Sequence, residues 1–311
     1  MDSNSVQSGF IDSTNRSYRE IWKRYWNLFH EITRESPCLD YFPLQYPPKK
    51  IRTNSLLFIG FNPSLNEKDK NVKDLLKIDD VNDLDDPKKI EKIINLEEKV
   101  LSEEDPNESD DPGLYSYYRQ FPKIAKDVTG ESIKWSHIDV LPIRNKKQNE
   151  VKDNLGLDRD NLFYLSEIRC DELKESSYPN NDVKAKFISD LIELFFKTIS
   201  YIEPLAIIIV NGYVSKSIMQ ITGSKTESVS KSLNKRGRVE ACLIPEGYKF
   251  ELDENKFYEF GVRLLNANGK AYPVFLSSML TGQRTLDLSS RERLVLDMKR
   301  YFDVTKRNSL E

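Results

Sequence analysis

Apolar positions along this chain recur with two periods, and segments of the two kinds take turns. In residues 17–34, Ile21, Trp22, Tyr25, Trp26, Leu28, Phe29 and Ile32 fall at i, i+3, i+4, i+7 spacing, which predicts an amphipathic helix with its aromatic stripe in a core. Residues 54–60 form a short apolar run with the length of a buried strand. Helical spacing returns at 72–78, at 87–101 and from 114 to 126, before 135–144 reads as a second strand and its exit. A short helix is predicted near 160–170. A longer one covers 184–202, with Phe187, Leu191, Leu194, Phe195 and Thr198 down one side. Pro204 ends it, and 205–210 is a continuously apolar strand of the kind buried on both faces, followed by a helix over 213–221. Residues 239–274 predict short strands or a hairpin with a turn at 266–269, and 272–276 a fourth strand. Ser289-Ser-Arg-Glu292 is a capping box that opens a last helix through Phe302.

Strands alternating with helices predict an α/β fold: a three-layer α/β/α sandwich on a mostly parallel four-stranded central sheet, plus a small extra β-hairpin. Residues 1–16 are polar and are expected to be disordered. The remainder, 17–311, is expected to form a single domain with insertions at 65–112 and 223–271.

Composition narrows the class. At 311 residues, 38% hydrophobic and 31% charged, the chain describes an ordinary globular protein with a heavily charged surface. No apolar run approaches the roughly 20 residues of a membrane span, and the first residues lack the basic and apolar regions of a signal peptide. Three scattered cysteines, Cys38, Cys170 and Cys242, fit a reducing compartment, so a cytoplasmic monomer is expected, associated with the nucleoid if the source is bacterial. With only His30 and His137 beside them, no metal-ligand cluster, iron–sulfur cluster or other cofactor is expected. The net charge of −3 is unevenly placed: residues 66–111 hold 17 Asp and Glu against 8 Lys, leaving 39 basic and 33 acidic residues elsewhere. A mildly basic body with an acidic insertion is compatible with a DNA-binding face.

Candidate chemistry centres on Leu57-Phe-Ile-Gly-Phe-Asn-Pro-Ser64. From the residues alone this reads first as a strand followed by an Asn-Pro turn, and alternatively as a strand that delivers backbone and one amide to the ligand-binding edge of a sheet. The stretch resembles the first motif of the uracil-DNA glycosylase superfamily, in the Gly-x-Asn-Pro-Gly form of its mismatch-specific and single-strand-selective branches, with Ser64 at the second Gly. The resemblance continues in order through residues 115–145 and 184–302, while 66–111 and 223–239 have no counterpart.

That resemblance implies hydrolysis of the N-glycosidic bond of a damaged or deaminated base flipped out of DNA. Asn62 would hold the attacking water, with the Phe61 N–H and the hydroxyl of Ser277 or Ser278 donating to the departing base. Gly60, Phe61, Pro63, Ser64 and Asn211 would shape the base pocket. An aromatic ring among Tyr115, Tyr117, Tyr118 and Phe121 would stack on the base, and the residues leave the choice open. Asp139 aligns with an Asn that reads the base, and Arg144 with an Arg that is expected at the DNA. In Ser277–Arg284, Leu280 aligns with a residue that wedges into the duplex, and Gly282, Gln283 and Arg284 form a loop suited to a phosphate or base edge. The second motif departs from the family, because no His, Asn or Pro stands at its start. His137 reads as a structural residue. Asp139 has a second reading as a loop cap, and as a base reader it could be ionised or, by burial, neutral. Two further functions stay open: a weak or inactive module that binds abnormal bases, and an α/β enzyme acting on a small nucleoside or nucleotide.

Overall fold

The computed structural model describes residues 3–33, 39–63, 69–101, 118–145, 147–155, 157, 161–163, 179–222, 243–253, 262–277 and 288–308. Six strands form one mixed sheet: β1 (Leu56–Gly60), β2 (Trp135–Asp139), β3 (Ala206–Ile209), β4 (Tyr248–Leu252), β5 (Arg263–Ala267) and β6 (Lys270–Leu276). Their order is β2-β1-β3-β6-β5-β4. The first four in that order are parallel, with Gly60 opposite Asp139, Ile59 opposite Ile209, and Ile209 opposite Leu276.

The expected parallel four-strand core is therefore present, but the extra hairpin is not a separate feature. β5 extends the same sheet antiparallel to β6, because Asn268 and Gly269 reverse the chain in two residues at φ 50° and 85°, and β4 adds antiparallel to β5 at the edge. Two positive φ values in an Asn-Gly pair match the right-handed twist of the flanking strands, so β5 and β6 stay hydrogen-bonded.

Eight α-helices are described: α1 (Ser3–Thr33), α2 (Lys70–Leu76), α3 (Pro87–Val100), α4 (Gln120–Thr129), α5 (Gln148–Leu155), α6 (Pro179–Ile202), α7 (Gly212–Thr222) and α8 (Leu288–Asn308). Alternate strand residues enter two separate cores, as the period of two in a pleated strand requires. Leu57, Ile59, Ile207 and Ile209 join α1, α5, α6 and α7 on one face. Leu56, Phe58, Ala206 and Ile208 join α4 and α8 on the other, where Phe58 stacks on Phe121 at 4.1 Å.

One expectation about the chain's organisation is corrected. Residues 3–16 are helical rather than disordered, and α1 begins well before Ser17. Ile11, Thr14 and Asn15 are buried, and Asn15 exchanges two hydrogen bonds with the backbone of Tyr46, at 2.8 and 2.7 Å. A polar stretch looks mobile until a distant segment satisfies it. In the acidic stretch the two helical pieces expected at 72–78 and 87–101 are α2 and α3, and they are packed on the body. Leu76, Leu84 and Ile93 are buried, Lys23 pairs with Asp85, and Phe42 N donates to Leu76 O at 2.8 Å. Of the helix expected near 160–170, only 161–163 are described, and they form a turn.

Candidate functional site

The carboxyl ends of the parallel strands line up along one edge of the sheet. Their register sets Gly60, Asp139 and Val210 in neighbouring strands or strand exits, and Ser277 N donates to Ile209 O at 3.0 Å beside them. Strands about 4.8 Å apart thus deliver Asn62, Asp139, Asn211 and Ser277 to the edge where open α/β sheets bind ligands.

Past Gly60 the chain does not leave the sheet at once. Val140 N donates to Gly60 O at 3.2 Å, Leu141 N to Phe61 O at 2.9 Å and Asn145 N to Pro63 O at 3.2 Å. The exits of β1 and β2 are zipped together by these three bonds. Phe61 turns its ring into the core, edge-on to Tyr213 at 5.4 Å.

Asn62 stands in this zip. Its Nδ2 donates to Pro63 O and to Ile143 O, each at 3.2 Å. Only the nitrogen of an amide can face two carbonyls, so these contacts fix which way the side chain is turned. Its Oδ1 is buried and has no hydrogen-bond partner among the described residues. A buried acceptor without a donor costs about 1–3 kcal/mol, so its persistence marks a place where a water or a ligand N–H belongs.

Asp139 is 3% exposed. Burial pushes its carboxyl up to about 8, against the Arg144 charge that draws it down, with Glu97 adding to the rise. At neutral pH the group is a carboxylic acid, with one O–H to donate. Its backbone N and O lie 3.3 and 3.4 Å from the Tyr46 hydroxyl, and its Oδ1 is 3.8 Å from His137 Nε2. Burial pushes the His137 imidazole down to about 3.

Three sequence-based roles need correction. Arg144 is not at a surface that could meet a phosphate: it is 6% exposed, its Nε donates to Phe42 O at 3.1 Å, and its Nη2 pairs with the buried Glu97 carboxylate. Asn211 caps α7, with its Oδ1 accepting from Tyr213 N at 3.0 Å and Val214 N at 3.2 Å, so that oxygen is already engaged. Tyr118 packs edge-on against Phe121 at 5.6 Å and against the His137 ring at 5.2 Å, contacts that belong to core packing. Ser277 lies at the edge as expected, half-buried, with its carbonyl accepting from Ser215 Oγ at 2.7 Å. Ser64, Tyr115, Tyr117, Ser278, Leu280, Gly282, Gln283 and Arg284 lie outside the described residues.

Glu97 and Tyr46 were missed from the sequence. Glu97 had a signal: it lies on the stripe of Ile90, Ile93 and Leu101, where a carboxylate in an apolar row needs a buried partner. Tyr46 had none, since its contact with Asp139 spans 93 residues of chain. Among the described residues no group of three or more His, Cys, Asp or Glu could hold a metal ion, and no helix is long and apolar enough to cross a membrane. Comparison with protein-family models, with curated proteins and with solved structures finds no match to this chain.

Proposed function

We propose that this chain hydrolyses N-glycosidic bonds in the manner of a uracil-DNA glycosylase, on a three-layer α/β/α sandwich, with a deaminated or damaged base in DNA as its substrate. The observation that carries this reading is the turned amide of Asn62, whose buried Oδ1 has no partner among the described residues at the carboxyl edge. Cleavage of the bond leaves positive charge on the sugar and negative charge on the base. Asn62 is neutral and a poor base, so it would position a water through Oδ1 rather than deprotonate it. Asp139, neutral by burial, offers one donor and one acceptor as an amide does, which matches the N3–H and O4 of uracil. Ser277 would donate to the departing base if its hydroxyl turns to this edge, a weaker anion stabiliser than a histidine.

One observation favours a second substrate class. At the β2 exit Arg144 is engaged by Glu97 of α3 and by Phe42 O, rather than free for a phosphate. With that guanidinium unavailable to a phosphate, the edge suits a free nucleoside, with the same bond broken.

The deciding experiment incubates the protein with oligonucleotides carrying uracil, hypoxanthine or xanthine, and in parallel with the free nucleosides, and measures released base and abasic sites. Release from oligonucleotide supports the DNA reading, and release from nucleoside alone supports the second. Asn62→Ala is expected to lower turnover at least about 30-fold as a positioning group. No release from any substrate, or equal rates from Asn62→Ala, overturns the proposal.

A further inference from the structure

The Asn62 amide is held by one carbonyl from its own loop and one from the β2 exit, Ile143 O. Ile143 is followed directly by Arg144, whose side chain turns inward instead of outward. The guanidinium bridges two segments remote in sequence: Nε to Phe42 O at 3.1 Å, and Nη2 to Glu97 near the end of α3. The segment that carries Phe42 is tied to both neighbours, since Phe42 N donates to Leu76 O at 2.8 Å and Leu44 N to Pro142 O at 2.9 Å. α3 is seated by Ile93, fully buried, beside Leu84 and Leu76. A continuous set of contacts thus runs from the acidic segment through Glu97 and Arg144 to the carbonyl that orients Asn62.

We infer that Glu97 and Arg144 are positioning residues that hold the Ile143 carbonyl, and through it the Asn62 amide, in place. The physical reason is that neither buried charge tolerates loss of the other. A guanidinium left without its carboxylate moves toward water, and the backbone that moves with it bears the acceptor for Asn62 Nδ2. The acidic stretch from 69 to 101 is then a strut for the site rather than a solvated appendage. Arg144 serves the reaction without meeting the substrate. The inference rests on the reading of Asn62 given above, but its structural content can be measured apart from any activity.

The test follows the side-chain amide resonances of Asn62 by NMR in the full-length protein, assigned by their absence in Asn62→Asp. In wild type the amide protons bonded to Pro63 O and Ile143 O are expected to exchange slowly with solvent. Glu97→Gln and Arg144→Lys are each expected to raise that exchange about tenfold or more, while the amides of Ile208 and Ile209 in β3 keep their protection, a local opening rather than a global one. If Glu97→Gln does not fold, the double variant Glu97→Leu/Arg144→Met carries the same measurement. It replaces the pair with apolar side chains that can keep α3 seated, yet it has no donor for Phe42 O. Unchanged Asn62 exchange in these variants, or a rise matched by the β3 amides, overturns the inference. Where the wild type releases base, kcat should fall at least about tenfold in Arg144→Lys with KM within about twofold, as for lost orientation. Failure of base release in wild type would remove the proposed function while leaving the amide measurement to decide the positioning.

Discussion

At Asp139 a carboxyl group ends a strand with water taken away from it, and its proton stays. The group titrates near 8 in the fold against 3.8 in an open chain, so between those values the folded state holds a proton that the unfolded state has released. Stability from this group is full below about pH 4 and is lost as pH rises toward 8. His137 acts in the opposite sense. Its folded value of about 3 lies below the ordinary 6.5, so it stabilises progressively from pH 3 to 6.5 and adds no further slope above that. The two effects oppose each other up to pH 6.5, and from there to pH 8 Asp139 acts alone. Unfolding free energy from urea titrations is therefore expected to fall across that upper window by up to about 2 kcal/mol, one proton at about 1.4 kcal/mol per pH unit. Asp139→Asn should flatten the fall. The same slope in both proteins would mean that Asp139 is ionised in the fold. Asn62, two residues beyond the neighbouring strand, shows the complementary case: with no charge to lose, its unmet acceptor stays available for a ligand.

At the scale of the element, α1 differs most from its sequence pattern. Its second half carries the aromatic stripe, and Trp22, Tyr25 and Phe29 meet the Phe187 ring of α6 at 5.5, 5.2 and 5.7 Å. Its first half has few apolar residues, but Asn15 supplies both an acceptor to Tyr46 N and a donor to Tyr46 O. Asn15→Ala would leave both backbone groups buried and unpaired, at about 2–4 kcal/mol by the cost of two unsatisfied groups. Because the Tyr46 hydroxyl lies against the Asp139 backbone, that variant should also alter the edge itself. The expected outcome is a lower urea midpoint with an unchanged slope. A midpoint equal to wild type would mean that the first half of α1 contributes nothing. For α3 the lesson is similar, since one charged residue on its apolar stripe, Glu97, determines what the helix is tied to.

Across the whole molecule, charge bears on which substrate the edge admits. Residues 66–111 carry an excess of nine acidic side chains, from 17 Asp and Glu against 8 Lys. The described part of that stretch, 69–101, holds 10 of those acidic side chains against 7 Lys, and it is attached to the body through Lys23–Asp85 and Arg144–Glu97. Because Arg144 is engaged by Glu97 and Phe42 O, a duplex that reaches this edge must make its phosphate contacts through other residues. With about three such contacts, affinity for a labelled oligonucleotide should drop about 40-fold between roughly 50 and 200 mM salt, since each neutralised phosphate releases counterions. A nucleoside enzyme should show a KM nearly independent of salt. Tight DNA binding that ignores salt would exclude backbone contacts as its source, and with them the duplex reading of this edge.

Local pattern determined much of this protein. The apolar runs at 54–60 and 205–210 are strands because they are too short and too uniformly apolar to be amphipathic helices, and Asn268-Gly269 reverses the chain through its own backbone preferences. The placement of Asn62 and Asp139 just at or beyond strand ends was legible for the same reason. Tertiary structure alone decided that α1 begins at Ser3, that Arg144 points inward and that burial raises the Asp139 carboxyl. Each of these depends on a partner far along the chain: Asn15 and Tyr46 are 31 residues apart, Glu97 and Arg144 are 47, and Phe42 and Arg144 are 102. Periodicity is a property of neighbours in sequence. Whether a polar group is satisfied, and whether a charge survives burial, is a property of neighbours in space.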